Sequence, residues 1–178
     1  MRDEIRQEIE AIDPLDALEA ETVAAVCQWI ESGAELCRLE KPATPDKHLV
    51  SYFVVVDGDH LLLVDHINAG KWLPTGGHVE PQEHPRETAR RECREELNVE
   101  GEFLYDRPLL VTETETVGRT SGHIDISIWY ALKGDRSRAL NIDGDEFRAA
   151  RWFHKEALPD NTDPHLGRFV QKLYKDFR

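Results

Sequence analysis

The stretch "GGHVEPQEHPRETARRECREELNV", Gly76 to Val99, constrains this chain more than any other. A glycine pair precedes the one strongly helical segment in the middle of the sequence, and that helix crowds Glu92, Glu95 and Glu96 into its last turn. Residues three and four apart share a helical face, so these carboxylates project together. Each like-charge pair at this spacing costs roughly 0.2–0.5 kcal/mol, and the helix dipole disfavours an anion in the last turn by about 0.3–1 kcal/mol. Arg91 can pair with Glu95 four residues on and relieve part of that cost. A solvated charged face explains the charge count but neither the crowding nor the glycines. A divalent cation explains both. Mg²⁺ takes a few carboxylate oxygens and leaves the rest to water and phosphate. Gly76 and Gly77 allow a tight turn through which a backbone carbonyl can approach the same ion. Beside the acidic face, Ala89, Cys93 and Leu97 form an apolar stripe suited to docking on a sheet, and Asn98 tolerates the left-handed conformation of a helix stop.

The flanking texture supplies that sheet. "HLVSYFVVV" and "HLLLVDHI" read as strands joined by a turn at Asp57 to Asp59. "KWLPTGGHVE" is a short extended piece broken by Pro74 and the glycines. "PLLVTETETV" and "GHIDISIWYALKG" alternate as strands do, with Ile124, Ile126, Ile128 and Tyr130 on one face, and "RAARWF" is a further strand. A closing helix lines up Leu166, Phe169, Val170, Leu173 and Phe177. Mixed strands with one central and one terminal helix imply an α/β fold whose sheet is covered on both faces. Ahead of it, residues 1–45 read as a helical extension and a linker, "KPATPDK", leaving 46–178 as the domain proper. Asp13 is the expected N-cap of the extension, with Pro14 in the first helical position and Gly33 after the last turn. Its stripe of Val23, Val26, Cys27 and Ile30 needs a partner, either the domain or a second copy in a homodimer.

Composition excludes several classes. The 178 residues carry 35 acidic against 22 basic side chains, a formal charge of −13. Such a surface repels long nucleic acids and anionic membranes, although metal ions can offset the repulsion for a small phosphorylated substrate. No apolar run approaches the roughly 20 residues that span a bilayer. The acidic start "MRDEIRQEIEAIDP" does not read as a secretory signal. Cys27, Cys37 and Cys93 are odd in number and share no CxxC spacing, which argues against a disulfide framework or a cysteine zinc site and for the reducing cytoplasm.

Gly77, Glu83, Arg91, Glu92, Glu95, Glu96 and Val99 stand at the gaps of G-x5-E-x7-R-E-U-x-E-E-x-G-U, U being bulky and apolar, so the chain resembles the Nudix hydrolases. Cys93 takes the first apolar position, and Asn98 replaces the last glycine. The resemblance runs from about His48 to the C-terminal helix. It implies a Nudix-type α/β/α sandwich with a mixed sheet, to which the N-terminal helical extension is added. It also implies Mg²⁺- or Mn²⁺-dependent cleavage of a diphosphate linkage in a nucleoside diphosphate joined to another group. Carried over by position, Glu92, Glu95 and Glu96 hold metal together with the Gly76 carbonyl. The implied catalytic set is Glu92, Glu95 and a glutamate from a later loop. Glu92 is the first choice for handling the attacking water; Glu146 is the loop candidate, and Asp145 competes with it. Glu83 and Arg91 brace the motif around Gly77. Residue Glu115 stands where ADP-ribose hydrolases carry a proline, and the array of NADH hydrolases is missing, which leaves a MutT-like nucleoside triphosphate pyrophosphohydrolase by elimination.

Substrate contacts are less constrained. His123, Asp125 and Ser127 share a strand face opposite the isoleucines and either line a pocket or form its wet side. Tyr52, Phe53 and Trp129 either stack on a base or fill the core. Lys71 could touch a phosphate, and His78 could approach metal or phosphate, although it is the only histidine at that point of the motif. Two rivals remain: a Nudix-fold isomerase or transferase, and a nucleotide-sensing module without turnover. The intact box glutamates favour hydrolysis.

Overall fold

In the computed structural model, which describes residues 1–41, 44–116 and 122–175, eleven elements follow the sequence pattern. They are α1 (Arg2–Glu10), α2 (Ala17–Glu31), β1 (Lys47–Asp57), β2 (His60–His66), β3 (Lys71–Leu73), β4 (Thr75–His78), α3 (Pro85–Leu97), β5 (Leu110–Glu115), β6 (Ile124–Lys133), β7 (Phe147–His154) and α4 (Leu166–Leu173). Pro42, Ala43, Val117 and Phe177, named above within a linker, a strand and a helix, lie outside the described residues.

The strands make one mixed seven-stranded sheet in the order β3-β2-β1-β6-β5, with β4 paired to β1 and β7 to β2. β1 is the organising strand. Its first half runs antiparallel to β4, its last residues form the hairpin with β2, and its whole length lies parallel to β6. The hairpin turns on Gly58 at φ +57°, a left-handed conformation that glycine adopts without steric cost. β1 is nearly continuous in apolar residues because both its faces are covered. Phe53 and Val55 enter the core under α3, together with Ile126, Ile128 and Tyr130 of β6. Val54 and Val56 point the other way, to Trp129, Ala131 and the Leu166, Phe169 and Leu173 stripe of α4. Of the three aromatics weighed as base stackers, Phe53 and Trp129 are therefore core residues.

One expectation for the N-terminus changes. The cap of α2 is Asp16, not Asp13: its side chain accepts from the Glu19 amide at 3.0 Å, and Pro14 lies outside the helix. "DALE" is the capping-box spacing, and it outcompetes the proline signal two residues earlier. The apolar stripe of α2 also finds its partner within the chain. Val26 and Ile30 are fully buried in the same cluster as Ile5, Ile9 and Ile12, the α3 stripe and the β6 isoleucines. Arg2 ties α1 to the end of α2 by donating to the carbonyls of Ile30 and Ala34. Among the described residues no helix is long and apolar enough to cross a membrane.

Candidate active site

The helix that carries the carboxylates is α3, and its bounds follow from its ends. His84 caps it, its Nδ1 accepting from the Arg86 amide at 3.2 Å, and Pro85 occupies the first turn. Asn98 closes it at φ +53°. Ala89, Cys93 and Leu97 are buried against the sheet, and Ser51 of β1 donates to the Pro85 carbonyl at 2.8 Å. This docking fixes the helix rotation and with it the direction of the acidic face.

Arg91 holds the preceding loop. Its Nε and one terminal nitrogen meet the two Glu83 oxygens at 3.0 and 2.9 Å, while the other reaches Glu92 at 2.6 Å and Glu95 at 3.4 Å. Thr88 and the Glu80 amide also donate to Glu83. Burial pushes the Glu83 carboxyl up, but these donors pull it down further, so it titrates below the usual range.

The three crowded glutamates divide by depth. Glu96 is 6% exposed, the Glu92 side chain 14% and the Glu95 side chain 60%. Glu96 accepts from the Gly76 amide at 3.2 Å, and among the described residues it has no ion-pair partner. Burial pushes its carboxyl up to about 9, and the negative charges of Glu92 and Glu146 add to the shift. Burial also raises Glu92, against the pull of Arg91, with Glu95 and Glu146 adding to the rise. The negative charge of Glu146, which immediately precedes β7, thus reaches both inner glutamates. The Asp145 backbone amide donates to Asp143 Oδ1 at 2.8 Å.

Gly76 and Gly77 sit on β4 opposite Tyr52 and Ser51 of β1, and they form part of the lining of a cavity of about 400 Å³. Lys71, His78, His123, Asp125, Ser127 and Tyr52 line it too. The wet-side reading of the β6 polar face is therefore wrong for His123 and Ser127, which are each 3% exposed and line this cavity. Sequence reasoning missed His48, Arg38 and Asp163. Arg38 and Asp163 belong to the cavity lining. His48 is fully buried beside it, and none of the three stands in a motif that would have drawn attention to it. A larger cavity of about 750 Å³ lies between the β1–β2 turn and α4, and no box residue lines it.

The family model of the NUDIX domain matches residues 47–173. No curated protein matches the chain. Among solved structures, a MutT NUDIX hydrolase from Burkholderia pseudomallei is 21% identical with a TM-score of 0.60, over 71% of this chain and 98% of that one. The dihydroneopterin triphosphate pyrophosphohydrolase of E. coli is 15% identical with a TM-score of 0.57, over 80% and 99%. A UDP-X diphosphatase is 15% identical at the same TM-score of 0.57 and is matched over 99% of this chain and 93% of its own, so the likeness extends through the N-terminal helices.

Proposed function

The chain belongs to the Nudix family, and from that premise we propose that it is a divalent-metal-dependent hydrolase cleaving a diphosphate linkage in a nucleoside diphosphate joined to another group, a nucleoside triphosphate or related nucleotide first among them. One observation carries this reading. Glu96 is buried and Glu92 half-buried behind Gly76 and Gly77, the glycines that line a cavity of about 400 Å³, and the charge of Glu146 reaches both.

The donor set fits a hard cation. It consists of oxygens, from Glu92, Glu95 and Glu96 with the Gly76 carbonyl, as Mg²⁺ or Mn²⁺ prefers. Glu96 is buried and, among the described residues, has no ion-pair partner, which makes its charged form costly in a way that a divalent ion would relieve. Bound there, the ion would neutralise the diphosphate and acidify a water. The rest falls to the chain's own residues. Glu92 accepts the proton of the attacking water, and its raised carboxyl makes it the stronger acceptor. Glu83 and Arg91 hold α3 and the loop in register, so that the nucleophile meets phosphorus at a fixed distance. Glu146 is the second acid available from a separate loop. Lys71, with Ser127 in the polar wall of the cavity, is placed to meet a phosphate, and the Tyr52 ring supplies an apolar surface. The neighbours' names, a triphosphate in one and UDP-X in another, share only the diphosphate.

The test is phosphate or pyrophosphate release from a panel of nucleoside triphosphates and nucleoside diphosphate sugars, with and without Mg²⁺. Glu92→Gln should lower turnover by about 10²–10⁴-fold while the thermal melt stays cooperative. Wild-type turnover in that variant would overturn the assignment. An inert wild-type chain across the panel would favour the sensing module.

A further inference from the structure

We infer that His48, His78, His123 and Asp125 form a second cation site, built for a transition-metal ion of the Zn²⁺ kind and separate from the box carboxylates. The four residues are distant in sequence and meet only through the sheet. His48 and Asp125 are register partners in the parallel β1–β6 pair, His78 ends β4, and His123 immediately precedes β6. One ligand atom from each can be chosen so that all lie within 4.8 Å of one another. His48 Nε2 and His123 Nε2 each stand 3.4 Å from Asp125 Oδ1. Four ligands placed tetrahedrally at about 2.0–2.1 Å from an ion are separated by about 3.3–3.4 Å.

Proton accounting gives an independent argument. His48 is fully buried, and its Nδ1 lies 2.8 Å from the Pro45 carbonyl, which can only accept. Nδ1 therefore carries a proton, and in the neutral ring Nε2 presents a lone pair. That lone pair faces Asp125 Oδ1, another acceptor. His48 Nε2, Asp125 Oδ1 and His78 Nε2 are all buried without a hydrogen-bond partner. Converging buried acceptors are costly unless positive charge lies among them. Protonating His48 would supply it, but 3.4 Å is long for a charge-assisted hydrogen bond of about 2.7–2.9 Å. The charge of Arg38, which lines the same cavity, reaches Asp125 and His78, yet among the described residues Arg38 makes no ion pair and leaves the buried acceptors without a donor. A metal ion fits the two 3.4 Å separations and would use the three orphaned acceptors.

The outer contacts are also those of a ligand set. The second nitrogen of His48 is fixed by a backbone carbonyl, and that of His123 by Thr116 Oγ1 at 3.1 Å. Three imidazoles and one carboxylate favour Zn²⁺, Co²⁺ or Ni²⁺ over Mg²⁺, whereas the oxygen set of α3 has the opposite preference. Chemistry therefore keeps the two sites apart. An ion in the histidine site would tie β4, and with it the glycine floor, to β1 and β6.

The experiment uses the full chain stripped with a chelator and titrated with Co²⁺, followed by displacement with Zn²⁺. The expected result is one Co²⁺ equivalent with the strong visible bands of a four-coordinate ion, displaced by Zn²⁺ and unaffected by excess Mg²⁺. The signal should persist in the Glu92→Gln/Glu96→Gln double variant. Asp125→Asn and His123→Gln should each weaken Zn²⁺ binding by at least about tenfold, with cooperative melts showing that both variants fold. Absence of the signal in the wild type would overturn the proposal. So would its loss in the double glutamate variant together with its survival in Asp125→Asn.

Discussion

Gly76 and Gly77 stand side by side and refuse a side chain for different reasons. At Gly77 a Cβ would collide with the end of the Glu92 side chain, Oε1 above all. A flexible side chain can retreat, so Gly77→Ala should melt near the wild-type temperature while turnover falls by about 10²-fold, the loss expected when a reacting group is displaced by about 1 Å. At Gly76 the obstacle is the Ser51 carbonyl and Tyr52, and φ is +152°. Backbone cannot retreat, so Gly76→Ala should cost at least about 1–3 kcal/mol, a fall of about 2–4 °C per kcal/mol in the melting temperature. The two variants together separate site from scaffold. Glu96 gives a pH signature. Because its folded carboxyl is raised from 4.5 to about 9, the unfolded chain releases that proton first. The contribution is fully present below about 4.5 and is lost as pH rises towards 9. Without divalent ions the melting temperature should fall across that window, and Glu96→Gln should flatten the fall.

At the scale of elements, the loop and α3 move as one piece because Glu83 gathers Arg91, Thr88 and the Glu80 amide. Glu83→Gln removes the charge from that cluster and should destabilise the chain by about 1.5–3 kcal/mol, read in urea denaturation. It should also lower turnover, which adding more Mg²⁺ would not restore. α3 was legible in the sequence to its ends, because proline, stripe and asparagine are all local signals. The strand segments and the β6 isoleucine face were legible for the same reason, their period of two being local. What could not be read was pairing. Nothing in "HLVSYFVVV" says that β1 takes β4 on one edge and lies parallel to β6 on the other, and that arrangement is what carries His48 to His78, His123 and Asp125. His78, discounted as a lone histidine, gains its companions only in three dimensions. The depth of the glutamates was hidden likewise: helical spacing groups Glu92, Glu95 and Glu96, but only the docked sheet decides that Glu95 faces outward.

At the scale of the molecule, the question is whether α1 and α2 are an appendage or part of the core. The apolar stripe that suggested a homodimer is filled from within, since Ile5, Ile9, Ile12, Val26 and Ile30 are all under 5% exposed in one cluster with the sheet. A polar tie reinforces it across the opposite face. Glu19 of α2, 5% exposed, receives Lys172 of α4 at 2.7 Å and Arg168 at 3.2 Å, and also accepts from the Leu15 amide. Removing one member of a buried pair costs about 3–5 kcal/mol, whereas replacing both with apolar residues can be neutral. Lys172→Met should therefore destabilise by about 3 kcal/mol, at the lower end because Arg168 still faces Glu19. The Glu19→Leu/Lys172→Met pair should recover most of that loss. Deleting residues 1–40 takes away the cluster and the tie together, so the shortened chain should melt well below the full one and bind a hydrophobic dye. If it melted unchanged and only its sedimentation altered, the helices would belong to an interface between copies and not to the core.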